Sequence, residues 1–257
     1  VPLLSLKNVS VSYRRSDGLF RRGAAVRAVD DISFDIMPGE TLGLVGESGC
    51  GKSTLARAIM RLQPVAAGSI TFDGEDITSM PESSMRLRRK HLQMIFQDSY
   101  ASLDPRMSAE DMIGEPIGAF GIGGERRKLV ADLLTKVGLD PSYGRRRARQ
   151  FSGGQRQRIS IARALAAGPR LIVADEPVSA LDVSIQAQIL NLLKRLQRDD
   201  GVAYLFISHD LRAVRFMADK IAVMLGGRIV EYGSADEIVN APQHEFTRSL
   251  LAAMPGN

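Results

Sequence analysis

Tryptophan is absent from the 257 residues, cysteine occurs once and histidine three times. The single thiol, Cys50, closes no internal disulfide, which excludes a disulfide framework, a cysteine-rich zinc site and a self-contained iron–sulfur cluster. It suits a reducing compartment, with the cytosol as the default. No uncharged apolar stretch approaches the ~18 residues of a membrane-spanning helix. The start, VPLLSLKNVSVSYRR, lacks the basic-then-apolar layout of a secretion signal. The chain is therefore expected neither to span a membrane nor to be exported. Neither sign of charge dominates: 34 basic against 29 acidic residues leave +5, compatible with nucleic acid, anionic lipid or a phosphate ligand without choosing among them. No internal repeat or low-complexity tract is visible. A first residue other than methionine and the ending AAMPGN lead us to expect a piece of a longer polypeptide.

What is present is ordinary for a globular protein, with 44% hydrophobic and 25% charged residues. At ~150 residues per domain, the length fits one large α/β domain or two small ones. LLSLKNVSVSY at 3–13 and VRAVDDISFDI at 26–36 alternate apolar and polar residues, which predicts half-buried strands in an antiparallel N-terminal layer. RRSDGLFRRGAA at 14–25 between them is either a solvated hairpin connection or a segment that touches a partner. TLGLVG at 41–46 breaks into glycines and then into KSTLARAIMRL, the strand, tight loop and helix of a phosphate-binding unit. The later apolar runs QMIFQ, LIVAD, YLFISH and KIAVML are continuous, as in strands of a mainly parallel sheet buried on both faces. From about 100 to 168 helical periodicity replaces strand pattern. The expectation is one α/β domain of two lobes: a core with an antiparallel β layer (1–97 and 169–257) and an inserted helical lobe (98–168).

GESGCGKST at 46–54 fits G-x-x-x-x-G-K-[ST] between a strand and a helix. Glycines let successive backbone N–H groups converge on phosphate oxygens, and the helix adds its positive N-terminal end. Gly46, Glu47, Ser48, Gly49, Cys50, Gly51, Lys52, Ser53 and Thr54 are the candidate cradle. Lys52 is expected to reach the β- and γ-phosphates and Ser53 to ligand Mg²⁺. LIVADEP at 171–177 is an apolar strand ending in two carboxylates. Asp175 is placed to hold Mg²⁺ through water and Glu176 to polarise the attacking water. In isolation the pair could equally cap a helix after a core strand.

These two sites say only P-loop NTPase. FSGGQRQR at 151–158 adds a second anion-binding helix start, Ser152, Gly153, Gly154 and Gln155. Two such starts in one subunit suggest that two copies close around nucleotide, each giving its second site to the other.

With this string the sequence resembles the ATP-binding cassette family, over almost the whole chain. FSGGQ looks like the signature motif, with phenylalanine where leucine is commoner; Gln97 in IFQD matches the Q-loop, SALD at 179–182 the D-loop with Asp182, His209 in ISHD the switch histidine, and Tyr13 the aromatic that stacks on adenine. The resemblance implies ATP and Mg²⁺ as cofactors and a head-to-tail dimer, homo- or heteromeric, with ATP between the P-loop of one subunit and the signature residues of the other. It further implies that Gln97 senses Mg²⁺ and the attacking water and that His209 contacts the γ-phosphate. The catalytic set is then Glu176, His209, Gln97 and Lys52, and the metal set Ser53, Gln97 and Asp175.

FQDSYASLDPR at 96–106, ADEPVSALDVSIQAQILNLL at 174–193 and APQHEFTRSLLAAMP at 241–255 resemble the peptide, nickel and glutathione import branch, in a second-cassette type or the C-terminal half of a tandem cassette. That implies peripheral attachment at the cytoplasmic face of the bacterial inner membrane, two transmembrane permease subunits and, indirectly, an extracytoplasmic solute-binding protein. Departures are Glu245 and Phe246 where relatives carry proline and tyrosine, and YGRRRARQF at 143–151 in place of a proline-containing run. Some relatives continue into an iron–sulfur-binding extension that this sequence does not include. RLRRK at 86–90 and RRRAR at 145–149 read as solvated charge, as contacts to headgroups or a membrane subunit, or as a nucleic-acid patch. With no tryptophan and no evident stacking platform, nucleic acid is not expected. The rival reading is a soluble cassette ATPase of DNA repair or translation, against which no long heptad run interrupts residues 52–151.

Overall fold

The computed structural model describes residues 1–16, 22–98 and 102–253. Parts of the arginine-rich connection and of FQDSYASLDPR, and the last four residues, lie outside these. The chain forms two compact units, Val1–Glu82 with Leu205–Asn257, and Ser83–Tyr204.

In the first unit, β1 (Leu4–Ser16) pairs antiparallel with β2 (Arg22–Ile36), matching the alternation. The buried positions change phase along both strands, from Leu4 and Leu6 to Val9 and Val11, and from Val29 to Ile32, Phe34 and Ile36. A bulge at the phase change explains this, since one extra residue turns the following side chains to the other face. Asn8 and Asp31 there adopt left-handed backbone, φ 50 and 58, which short polar residues tolerate best. The Asn8 amide donates to Asp31 Oδ1 at 2.8 Å and staples the bulge.

β3 (Thr41–Gly46) is buried throughout and leads through the glycine loop into α1 (Lys52–Ile59). Two further strands, β4 (Ala67–Phe72) and β5 (Glu75–Asp76), extend the antiparallel sheet in the order β2-β1-β4-β5.

The second unit contains α2 (Glu82–Arg89, opening at the junction), β6 (Leu92–Ile95), α3 (Ala109–Ala119), α4 (Arg126–Lys136), α5 (Gly153–Leu165), β7 (Leu171–Asp175) and α6 (Val183–Asp200). β6 and β7 are parallel, with Ile95 opposite Ala174. Between β6 and β7 the regular elements among the described residues are helices, apart from one isolated bridge, Ser108 to Arg147. Arg163 ties α5 to what precedes it, donating to the Ser102 carbonyl at 3.1 Å and to Glu115 at 2.8 Å. Two arginines of the basic runs have partners inside this unit: Arg86 donates to the Ala119 carbonyl at 3.3 Å, and the Arg146 guanidinium lies 3.8 Å over the Tyr143 ring.

β8 (Ala203–Ile207) carries the chain back into the first unit, where α7 (Leu211–Met217), β9 (Lys220–Leu225), β10 (Arg228–Ser234), α8 (Ala235–Asn240) and α9 (Glu245–Ala252) complete it. β9 is parallel to β3 and β10 antiparallel to β9. Reciprocal bonds between Thr41 and Asp219, 2.7 and 2.8 Å, lock the start of β3 against β9. Asp30 on β2 binds Arg228 on β10 through both carboxylate-facing nitrogens, at 2.8 and 2.6 Å, and Arg27 at 2.8 Å. The hydrogen bonds from Arg228 and then Arg27 hold its pKa below the usual carboxylate value. In the tail, burial pushes the Glu231 carboxyl up, but hydrogen bonding, led by the Gln243 N–H and joined by Thr247 and the His244 N–H, outweighs it and leaves the pKa lowered.

Candidate functional site

The glycine loop of the first unit is built for close approach to its own backbone. Gly51, N-cap of α1, has φ 109, and a Cβ there would stand 2.1 Å from the Ala28 carbonyl oxygen. Only glycine meets both conditions. Lys52 is 5% exposed, and its Nζ donates to the carbonyls of Gly46 and Glu47, each at 2.8 Å, with Cys50 Sγ at 3.8 Å. A buried ammonium needs such acceptors, and here they are the loop that the motif assigns to phosphate. The first turn of α1 also carries Ser53 and Thr54. Tyr13 on β1 reaches it, donating from Oη to Thr54 Oγ1 at 3.2 Å, so the predicted adenine-side aromatic stands beside the predicted phosphate cradle.

His209 follows β8 in the same unit. The Ser208 N–H donates to the Leu44 carbonyl at 3.3 Å, fixing this loop beside the strand that delivers the cradle. Asp210 caps α7, accepting from the Arg212 N–H at 2.9 Å, and the His209 residue between these anchors is exposed.

In the second unit, parallel pairing brings the ends of β6 and β7 side by side. Just beyond them, Gln97 Nε2 donates to Glu176 Oε2 at 3.0 Å. Asp175, the last residue of β7, is 4% exposed. Glu176 has φ 47, a left-handed conformation that costs a non-glycine residue about 1–3 kcal/mol. Such strain persists only where the surroundings impose it, and Ser179 clamps the turn by donating from N and Oγ to the Glu176 carbonyl at 3.3 and 3.1 Å.

The second anion-binding candidate is a capped helix start. Ser152 Oγ accepts from the Gln155 N–H at 3.3 Å and Gln155 Oε1 accepts from the Ser152 N–H at 3.0 Å, a reciprocal capping box. Gly154 is required by packing, since a Cβ would lie 2.5 Å from Ile185 Cγ2 on α6. Asp182 caps α6, accepting from the Ile185 N–H at 3.0 Å. Within the second unit the structure thus brings together Gln97 with Glu176, Gly153 with Leu181, and Gly154 with Ile185 at the start of α6. Motif reading missed Gln186, whose amide holds the loop between Glu176 and Asp182 by two bonds. Its only signal was position, four residues after the cap.

The donor chemistry suits a hard divalent cation. Ser53 in the first unit offers a hydroxyl and Asp175 in the second a buried carboxylate, each a hard oxygen donor of the kind Mg²⁺ accepts. Among the described residues no group of three or more His, Cys, Asp or Glu forms a self-sufficient metal cage. No helix among them is long and apolar enough to cross a membrane.

The fold and these motifs define a nucleotide-binding cassette, and comparison with known proteins agrees. The ABC transporter family model matches residues 29–179. Over 257 residues the chain is 49% identical to the glutathione import ATP-binding protein GsiA of Pectobacterium atrosepticum, covering 99% of this chain and 41% of that protein. It is 52% identical to the oligopeptide transport ATP-binding protein OppF of Bacillus subtilis, covering 97% of this chain and 83% of that one. A dimeric post-hydrolysis structure of the ATP-binding cassette MJ0796 with ADP and phosphate superposes with a TM-score of 0.80 at 29% identity, over 90% of this chain and 98% of that one. The chain belongs to the ABC transporter family. It spans about two fifths of the glutathione import relative and most of the oligopeptide transport relative.

Proposed function

We propose that the chain is the ATP-binding and hydrolysing subunit that energises import of a peptide-like solute, a dipeptide, oligopeptide or glutathione, across the bacterial inner membrane. The observation that carries this reading is the roughly half identity, over nearly the whole chain, to proteins named for oligopeptide and glutathione import. The same names count against a soluble cassette of repair or translation.

In this reading Lys52 exchanges the carbonyls of Gly46 and Glu47 for phosphate oxygens, while the loop N–H groups and the start of α1 neutralise the remaining charge. Tyr13 stacks on the adenine. Ser53 and Asp175, with Gln97, hold Mg²⁺, which when bound neutralises phosphate charge. Glu176 accepts a proton from the attacking water, Gln97 orients that water, and His209 donates to the γ-phosphate. Hydrolysis needs positioning and charge neutralisation more than covalent chemistry, and a carboxylate held 3.0 Å from an amide donor supplies positioning. Ser152, Gly153, Gly154 and Gln155, with Asp182, complete the site of a second cassette in a head-to-tail dimer. Residues 98–168 form the helical subdomain that carries these signature groups. Two permease subunits form the path through the membrane, a solute-binding protein delivers the solute, and the cassette sits peripherally on the cytoplasmic face without nucleic acid.

The test is uptake of labelled oligopeptide or glutathione by right-side-out vesicles loaded with ATP that carry the full-length protein with the permease and solute-binding protein encoded beside it. ATP-dependent uptake that stops with Glu176→Gln is expected. Co-purification with ribosomes or DNA ends, and no membrane subunit, would contradict it.

A further inference from the structure

Glu176 opens a loop, residues 176–182, that runs from β7 to the start of α6. Both ends are fixed: the Glu176 carbonyl accepts from Ser179 N and Oγ, and the Asp182 carboxylate caps α6. Between them the turn closes with one backbone bond, Leu181 N–H to the Val178 carbonyl at 3.2 Å. Gln186, half-buried on α6, reaches back over this turn. Its Nε2 donates to the carbonyls of Val178 and Leu181, both at 3.0 Å. An amide nitrogen carries two protons, and Gln186 spends both on the loop.

We infer that Gln186 is a positioning residue for Glu176. The left-handed backbone at Glu176 relaxes unless the loop behind it is held, and Gln186 is the side chain that holds the middle of that loop. It does not touch the reacting atoms; it acts through the direction in which Glu176 leaves β7. An ionised glutamate at 186 has the same shape with no N–H, and it sets carboxylate oxygens against two carbonyls. The loop then opens and the Glu176 carboxylate moves off the water. The inference rests on the proposed role of Glu176.

The experiment compares Gln186→Glu, Gln186→Leu and Gln186→Lys in the full-length protein, with Glu176→Gln alongside, by ATP turnover, KM for ATP and thermal midpoint. Misplacing a reacting group by about 1 Å costs on the order of 100-fold. The Glu and Leu variants are therefore expected to lose about 10- to 100-fold in kcat with KM and thermal midpoint close to wild type. Gln186→Lys, which supplies donors of similar reach, regains most of the loss. Wild-type kcat in Gln186→Glu overturns the inference, as does a loss that follows the thermal midpoint and that Gln186→Lys fails to restore. Should Gln186→Glu not fold, Gln186→Leu against Gln186→Lys decides the same question. Wild-type turnover in Glu176→Gln removes the base role and this inference together, whereas an inactive Glu176→Gln beside an unaffected Gln186→Glu removes this inference alone.

Discussion

Gln97 donates to Glu176 across 3.0 Å, although 79 positions separate them in the chain. Parallel pairing of β6 and β7 brings this about by ending both strands at the same level. Gln97→Leu removes this donor from Glu176. The expected outcome is a fall in ATP turnover of about 10- to 100-fold, the range of a misplaced catalytic group, with folding unchanged by circular dichroism.

Lys52 is the one cationic side chain among residues 46–54, the segment assigned to phosphate. Hydrogen bonds to a charged group are worth about 1.5–3 kcal/mol, or roughly 10- to 100-fold in affinity. Lys52→Ala is expected to weaken binding of a fluorescent ATP analogue by that factor. At a fixed ATP concentration the rise in thermal midpoint should then be smaller than in wild type, since ligand stabilisation follows affinity.

Gly154 faces Ile185 Cγ2 with no room for a methyl group. Overpacking of this kind costs about 1–3 kcal/mol, so Gly154→Ala should lower the thermal midpoint. Ile185→Ala in the same chain removes the clashing atom, and the double variant should recover much of that loss. Strict additivity in the cycle would show that the helices do not press on each other here.

Much of this was legible in the sequence, and for identifiable reasons. The strand–loop–helix around Lys52 and the carboxylates after LIVA follow from local pattern, because both need a buried strand to deliver a polar group to its end. The bulge between Leu6 and Val9 was not legible, because LLSLKNVSVSY was expected to alternate throughout. β4 and β10 were not legible, because AGSITF and RIVEYGS are short and interrupted by glycine. Gln186 was hidden for a different reason: a helix residue reaching back to the preceding loop leaves no period and no motif. Asp182 and Gly154 were read as nucleotide contacts, and the structure adds a local task for each, capping α6 and admitting Ile185.

Asp30 gives a pH signature to the first unit. Its pKa is lowered by Arg228 and Arg27. A lowered carboxylate adds stability at pH values above its ordinary pKa, and that stability is lost as pH falls through the lowered value. Asp30→Asn should therefore reduce the thermal midpoint at pH 7, and the gap from wild type should close as the pH drops below the ordinary carboxylate range. Thermal melts across pH 2.5 to 7 check this; a gap that stays constant would show that the carboxylate's charge is immaterial.

The central claim, that Glu176 is the base for ATP hydrolysis and no part of ATP binding, is tested most directly by Glu176→Gln, measured for ATP affinity and turnover in the same preparation. The change keeps the shape and removes the proton acceptor, and a general base contributes about 10²- to 10⁴-fold. ATP affinity within about twofold of wild type and turnover reduced by at least about 100-fold is the predicted result; turnover equal to wild type would contradict it.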